Sequence, residues 1–111
     1  MQDWRRSGSD APAPERIVRA FISGRVQGVG YRAWTQAEAE ALGLDGWVRN
    51  RRNGDVEALI AGPAAAVVAL CARLWRGPAA AIVVRVELRE ARPADLEARR
   101  GGPGFQQIAT I

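Results

Sequence analysis

Gly24-Arg25-Val26-Gln27-Gly28-Val29-Gly30-Tyr31-Arg32 is the stretch on which the reading of this chain turns. Its glycines permit a tight turn and let backbone N–H groups come close to a ligand. Before it, Val18, Ala20 and Ile22 alternate with Arg19, Phe21 and Ser23. That period of two predicts a strand over 16–23. After it, alanine and glutamate dominate and predict a helix from Tyr31 to Leu42, stopped by Gly43. Tyr31, Thr35, Ala39 and Leu42 would share the inner face of that helix. The positive end of the helix and its free N–H groups would face the same hollow as the turn. Arg32 adds a fork-shaped cation. Together these features predict an oxyanion cradle, best suited to a phosphoryl group.

The rest of the chain extends the pattern outward. Leu44 to Asn50 reads as a second strand, Asn53-Gly54 as a hairpin turn, and Asp55 to Ala61 as the returning third strand. Gly62-Pro63 opens a second helix, with Val67, Leu70, Cys71 and Leu74 on its buried face, and Gly77-Pro78 ends it. Residues 81–91 alternate again: Ile82, Val84, Val86 and Leu88 stand against Val83, Arg85, Glu87 and Arg89, which predicts a half-buried fourth strand. Residues 92–103 read as a connection, and Phe105 to Ile111 as a short last strand. The order is β-α-β-β-α-β plus a fifth strand. It predicts an α+β, ferredoxin-like sandwich, an antiparallel sheet with two helices on one face. Residues 1–14, rich in Ser, Asp, Pro and Ala, read as a flexible N-terminal arm, and residues 15–111 as a single domain.

Composition narrows the chemistry. The chain has 111 residues, a formal charge of +4, no histidine, one cysteine and, among its basic residues, arginine alone. The missing histidines remove the commonest general base and the commonest metal ligand, so neither metal nor cofactor is expected. The lone Cys71 allows no internal disulfide and suits a reducing cytoplasm. No stretch is long and apolar enough to span a bilayer. The positive charge would attract a small phosphorylated substrate or a nucleic acid alike.

Gly24 to Arg32 resembles the first signature of the acylphosphatase family. Gly46-Trp47-Val48-Arg49-Asn50, followed by Gly54-Asp55-Val56-Glu57, resembles its second. The resemblance covers roughly residues 16–111. It implies hydrolysis of the carboxyl-phosphate bond of acyl phosphates, with inorganic phosphate as a product, no metal and no covalent enzyme intermediate. It matches Arg32 to the phosphate-binding arginine and Asn50 to the water-orienting asparagine. The loop of Arg25, Val26, Gln27, Gly28, Val29 and Gly30 corresponds to the backbone phosphate cradle. Physical reasoning agrees, because the leaving group is already a good carboxylate. The catalyst needs chiefly to hold a dianion and place one water in line. Asn50 offers an acceptor and a donor for that water. The expected partner is a small acyl phosphate, met by a cytoplasmic monomer without nucleic acid or membrane. Arg49, Arg51 and Arg52 read as a solvated basic hairpin rather than a steering device.

Three other functions compete. A phosphate-binding domain without turnover would keep the cradle, but the retention of both Arg32 and Asn50 argues against it. The acylphosphatase-like domain of hydrogenase-maturation carbamoyltransferases belongs to much longer chains. RNA-recognition domains share the element order, yet they stack bases on aromatics of the first and third strands. Here the third strand has no aromatic and carries Glu57. One departure from the family is plain. Its members commonly end in an aromatic-x-Ile-Arg-Tyr-like strand, whereas this chain runs Phe105-Gln106-Gln107-Ile108-Ala109-Thr110-Ile111.

Overall fold

A computed structural model describes residues 14–99 and 102–111. Its elements follow the expected order: β1 (Arg16–Arg25), α1 (Tyr31–Ala41), β2 (Asp45–Asn50), β3 (Val56–Gly62), α2 (Ala64–Leu74), β4 (Ile82–Glu90), a 3-10 turn (Pro93–Ala98) and β5 (Phe105–Gln107). The sheet runs β4-β1-β3-β2-β5. All pairs are antiparallel except β2 with β5, which are parallel. The expected arm falls almost entirely outside the described residues.

The alternation in β1 sorts its residues as its period requires. Val18, Ala20 and Ile22 are buried beneath the helices. They join Val48, Val56, Ala58 and Ile60 from the neighbouring strands and Tyr31, Ala39, Val67, Leu70 and Leu74 from the helices. Tyr31 ties the helices to one another, because its hydroxyl donates to the Leu74 carbonyl at 2.6 Å. Burial raises the pKa of that phenol well above its usual value.

The sheet's other face is not bare. Ile17, Trp47, Leu59 and Ala61 form a second buried cluster, packed with Leu96 and Ile108. The segment read as a mere connection supplies this cover. Its 3-10 turn lies over Trp47, whose Nε1 donates to the Asp95 carbonyl at 2.9 Å. β3 is therefore buried on both faces.

Two further expectations change. β4 is an edge strand, and α2 packs on β1 and β3. Val83 and Val86 pack against the core while Ile82, Val84 and Leu88 stand 60%, 69% and 44% exposed. The pairing with β1 slips between Ser23 and Gly24, which changes the phase of the expected alternation. The last strand is regular only over Phe105–Gln107. Beyond it the chain still follows β2, with Ile108 N–H on the Val48 carbonyl at 2.9 Å and Ile111 N–H on the Asn50 carbonyl at 3.2 Å.

Candidate functional site

β1 delivers the chain to a glycine turn at one end of the sheet. Gly28 and Gly30 have φ of 73° and 81°, in the left-handed region that L side chains rarely adopt. No atom lies within 4 Å of where a Cβ would sit at either, so backbone conformation and not space demands glycine there. Gly30 caps α1 without any side-chain hydrogen bond. The first N–H groups of the helix are left without intrahelical partners, and Tyr31, Arg32 and Ala33 line the hollow. Among the described residues, no N–H from Gln27 to Gly30 donates to a protein carbonyl either. A turn of unpaired N–H groups beside a helix N-terminus is an anion receptor.

The hollow has a volume of about 140 Å³. Its walls are Val26, Gln27, Gly28 and Gly30 from the turn, Tyr31, Arg32 and Ala33 from α1, Asn50 from β2 and Gln107 from β5. Arg32 and Asn50, eighteen positions apart in the chain, are brought to one cavity. Arg25 and Val29 are not among its walls. Arg25 ends β1 as an exposed residue paired with Ile82, and Val29 packs against the core.

Gln27 has a mechanical task. Its Nε2 donates to the carbonyls of Arg51 and Asp55, both at 2.8 Å. Both amide hydrogens are thereby used to pin the cradle to the β2–β3 hairpin, one residue past Asn50. Asn50 itself is held on two sides. It pairs with Val56 across the hairpin, and its carbonyl accepts from Ile111.

Charge separates Arg32 from its neighbours. Arg32 makes no ion pair among the described residues. By contrast, Arg49 Nε and Arg51 Nη1 lie 2.9 and 2.7 Å from Glu57 Oε1, and Arg19 Nη1 lies 3.4 Å from Glu57 Oε2. The Glu57 side chain is fully buried beneath them. Arg49 also stacks on Trp47, 4.6 Å from the ring centroid. The expected solvated hairpin is instead an ion cluster on the far face of the sheet, with Arg52 the exposed member.

Tyr31, Ala33 and Gln107 line the hollow without being among the expected site residues, and of these the one from outside α1 is Gln107. The departure from the family's C-terminal pattern was its only visible signal. No group of three or more His, Cys, Asp or Glu side chains converges to hold a metal among the described residues. No described helix is long and apolar enough to cross a membrane.

Comparison with known proteins agrees with the geometry. The chain matches the family described as acylphosphatase over residues 18–101. It is 52% identical to an acylphosphatase of Rhodopseudomonas palustris over 97 residues, 87% of this chain and 98% of that protein. An acylphosphatase structure from Coxiella burnetii superposes with a TM-score of 0.74 at 34% identity, covering 86% of this chain and 94% of the other. A full-length HypF, in its phosphate- and nucleotide-bound form, superposes with a TM-score of 0.72 at 22% identity, over 87% of this chain and 12% of HypF. That last likeness carries the fold alone.

Proposed function

From the premise that the chain belongs to the acylphosphatase family and hydrolyses acyl phosphates, we propose that Arg32 and the turn hold the phosphoryl group while Asn50 places the attacking water. The carrying observation is the shared hollow. It joins an arginine without an acid partner, a turn of unpaired N–H groups and the neutral carboxamide of Asn50, whose backbone is held on both sides.

The phosphoryl group of the substrate is anionic before, during and after reaction. N–H groups of the turn from Gln27 to Gly30 receive its non-bridging oxygens, with the Arg32 guanidinium on the same oxygens. Within that turn Gln27 acts through its backbone, since its side chain is spent on the hairpin. The Asn50 side chain holds a water behind the phosphorus, in line with the leaving oxygen. The water oxygen bonds to phosphorus as the bond from phosphorus to the acyl oxygen breaks, and that electron pair leaves with the carboxylate. The proton of the water passes to a phosphate oxygen, giving a carboxylate and dihydrogen phosphate. No side chain has to change charge, which fits a site with no histidine.

The active unit we infer is a monomer. The free, buried Cys71 is in keeping with a cytoplasmic setting. The physiological substrate we infer is a small acyl phosphate, with phosphate released. The test is hydrolysis of acetyl and benzoyl phosphate in excess chelator. Turnover is expected to persist. Loss on chelation with recovery on adding a divalent cation would overturn the metal-free mechanism.

A further inference from the structure

The hollow carries a second carboxamide. Gln107 stands in β5 opposite Val48, two residues before Asn50 on the same strand. It is an exposed residue, yet its amide is not loose. Its Nε2 donates to Gln36 Oε1 of α1 at 2.9 Å, and Gln36 Nε2 donates in turn to the Phe105 carbonyl at 3.1 Å. The two glutamines thus lace β5 to the helix that carries Arg32. A primary amide has two N–H donors and an acceptor oxygen, so the bond to Gln36 leaves capacity for a ligand.

We propose that Gln107 donates a hydrogen bond to the acyl carboxyl group of the substrate and so stabilises the departing carboxylate. The inference rests on the phosphoryl group occupying the cradle. The turn N–H groups and Arg32 then face the phosphoryl oxygens. At about 140 Å³ the hollow is small against ligand pockets of roughly 300–1,000 Å³. The acyl group must therefore leave it over the rim, and Gln107 is the exposed polar side chain that a strand brings to that rim. A neutral amide suits an oxygen that is uncharged or nearly so in the bound substrate and gains charge only as the bond to phosphorus breaks. A contact of this kind reads the carboxyl group common to all acyl phosphates and not the chain beyond it. It predicts a broad acyl range combined with discrimination against phosphate esters, whose leaving oxygen belongs to an alcohol.

The test compares wild type with Gln107→Leu on acyl phosphates whose parent acids differ in acidity. For Gln107→Leu, kcat/KM is expected to fall about 5- to 10-fold, the scale of one hydrogen bond. The loss should grow as the leaving carboxylate becomes more basic. Inhibition by inorganic phosphate should stay within about twofold, since phosphate has no acyl group. Gln107→Asn keeps a polar edge and shortens the reach, and it should show the same steepened dependence if Gln107→Leu fails to fold. Unchanged dependence on leaving-group acidity in the folded variant overturns the proposal. So does a matching loss of phosphate affinity, which would put Gln107 on the phosphoryl group. If wild type hydrolyses no member of the series, the acyl phosphate reading itself has failed, and the proposal with it.

Discussion

Arg49 and Arg51 flank Asn50 in the chain, and Arg32 lines the same hollow as Asn50, yet these arginines have opposite fates. Arg49 and Arg51 are clamped on the buried Glu57, with Arg19 on its other oxygen. Arg32 has no acid partner among the described residues and lines the cradle beside unpaired N–H groups. A guanidinium already bound to a carboxylate has little left for a second anion, whereas one held beside a helix N-terminus retains its full attraction. The positive formal charge of the sequence therefore does not predict where an anion binds. On the proposed mechanism, what decides is which arginine the fold sets, without an acid partner, in the hollow beside the turn's unpaired N–H groups.

Arg32→Ala should break this contrast most severely. Turnover is expected to fall by about 10³-fold or more, because the same charge serves bound substrate and transition state. Arg32→Lys should recover little of it, since an ammonium cannot reproduce the two-pronged geometry. Steady-state kinetics on acetyl phosphate measure both. Turnover near wild type in Arg32→Lys would mean that the site needs only a point charge.

Asn50 comes next. Asn50→Ala should lower kcat by roughly 10²-fold, the scale for losing one well-placed polar group. Asn50→Asp should be as poor at neutral pH. It keeps the shape and an acceptor but sets a negative charge beside the phosphoryl group. An Asp variant as fast as wild type would indicate general-base chemistry instead of water placement by a neutral amide.

Gln27→Leu removes the brace between the cradle and the hairpin. We expect kcat to drop roughly 10-fold as Asn50 and the turn lose their fixed spacing. Stability should fall by about 1–3 kcal/mol from the unpaired carbonyls, read from denaturant midpoints. If stability alone moves, the brace is structural and the spacing is set elsewhere.

The smallest effect on activity belongs to the far face. Glu57→Gln should cost about 3 kcal/mol of stability, because three arginines lose the acid that neutralises them. Phosphate inhibition should nevertheless remain within about twofold. A tightening of phosphate binding beyond that would show that the released arginines reach the site.

Much of this was legible in the sequence. The alternation of Val18, Ala20 and Ile22 and the glycine turn before Tyr31 record local geometry, and both elements form where the pattern puts them. The pairing of Arg49 with Glu57 was within reach as well, since the two sit symmetrically about Asn53 in the hairpin. Its burial was not, because that depends on Trp47 and on the 3-10 turn that covers it from the far end of the chain. The exposure of β4 was hidden for a related reason. Alternation marks two faces of a strand but does not reveal a slip in pairing such as that between Ser23 and Gly24, which puts Val83 on the face of Val86. Gln107 was hardest to see. It reaches the hollow through a parallel pairing with β2 and a bond to Gln36, 71 residues away in sequence. Neither leaves a local trace.

The central claim is that the anion is held where an arginine without an acid partner lines the same hollow as the turn's unpaired N–H groups. It is tested most directly by calorimetric titration of inorganic phosphate into wild type, Arg32→Ala, Asn50→Ala and Glu57→Gln. The account predicts that phosphate affinity collapses in Arg32→Ala alone and stays within about twofold in the other two variants. Phosphate binding to Arg32→Ala at wild-type affinity would contradict it.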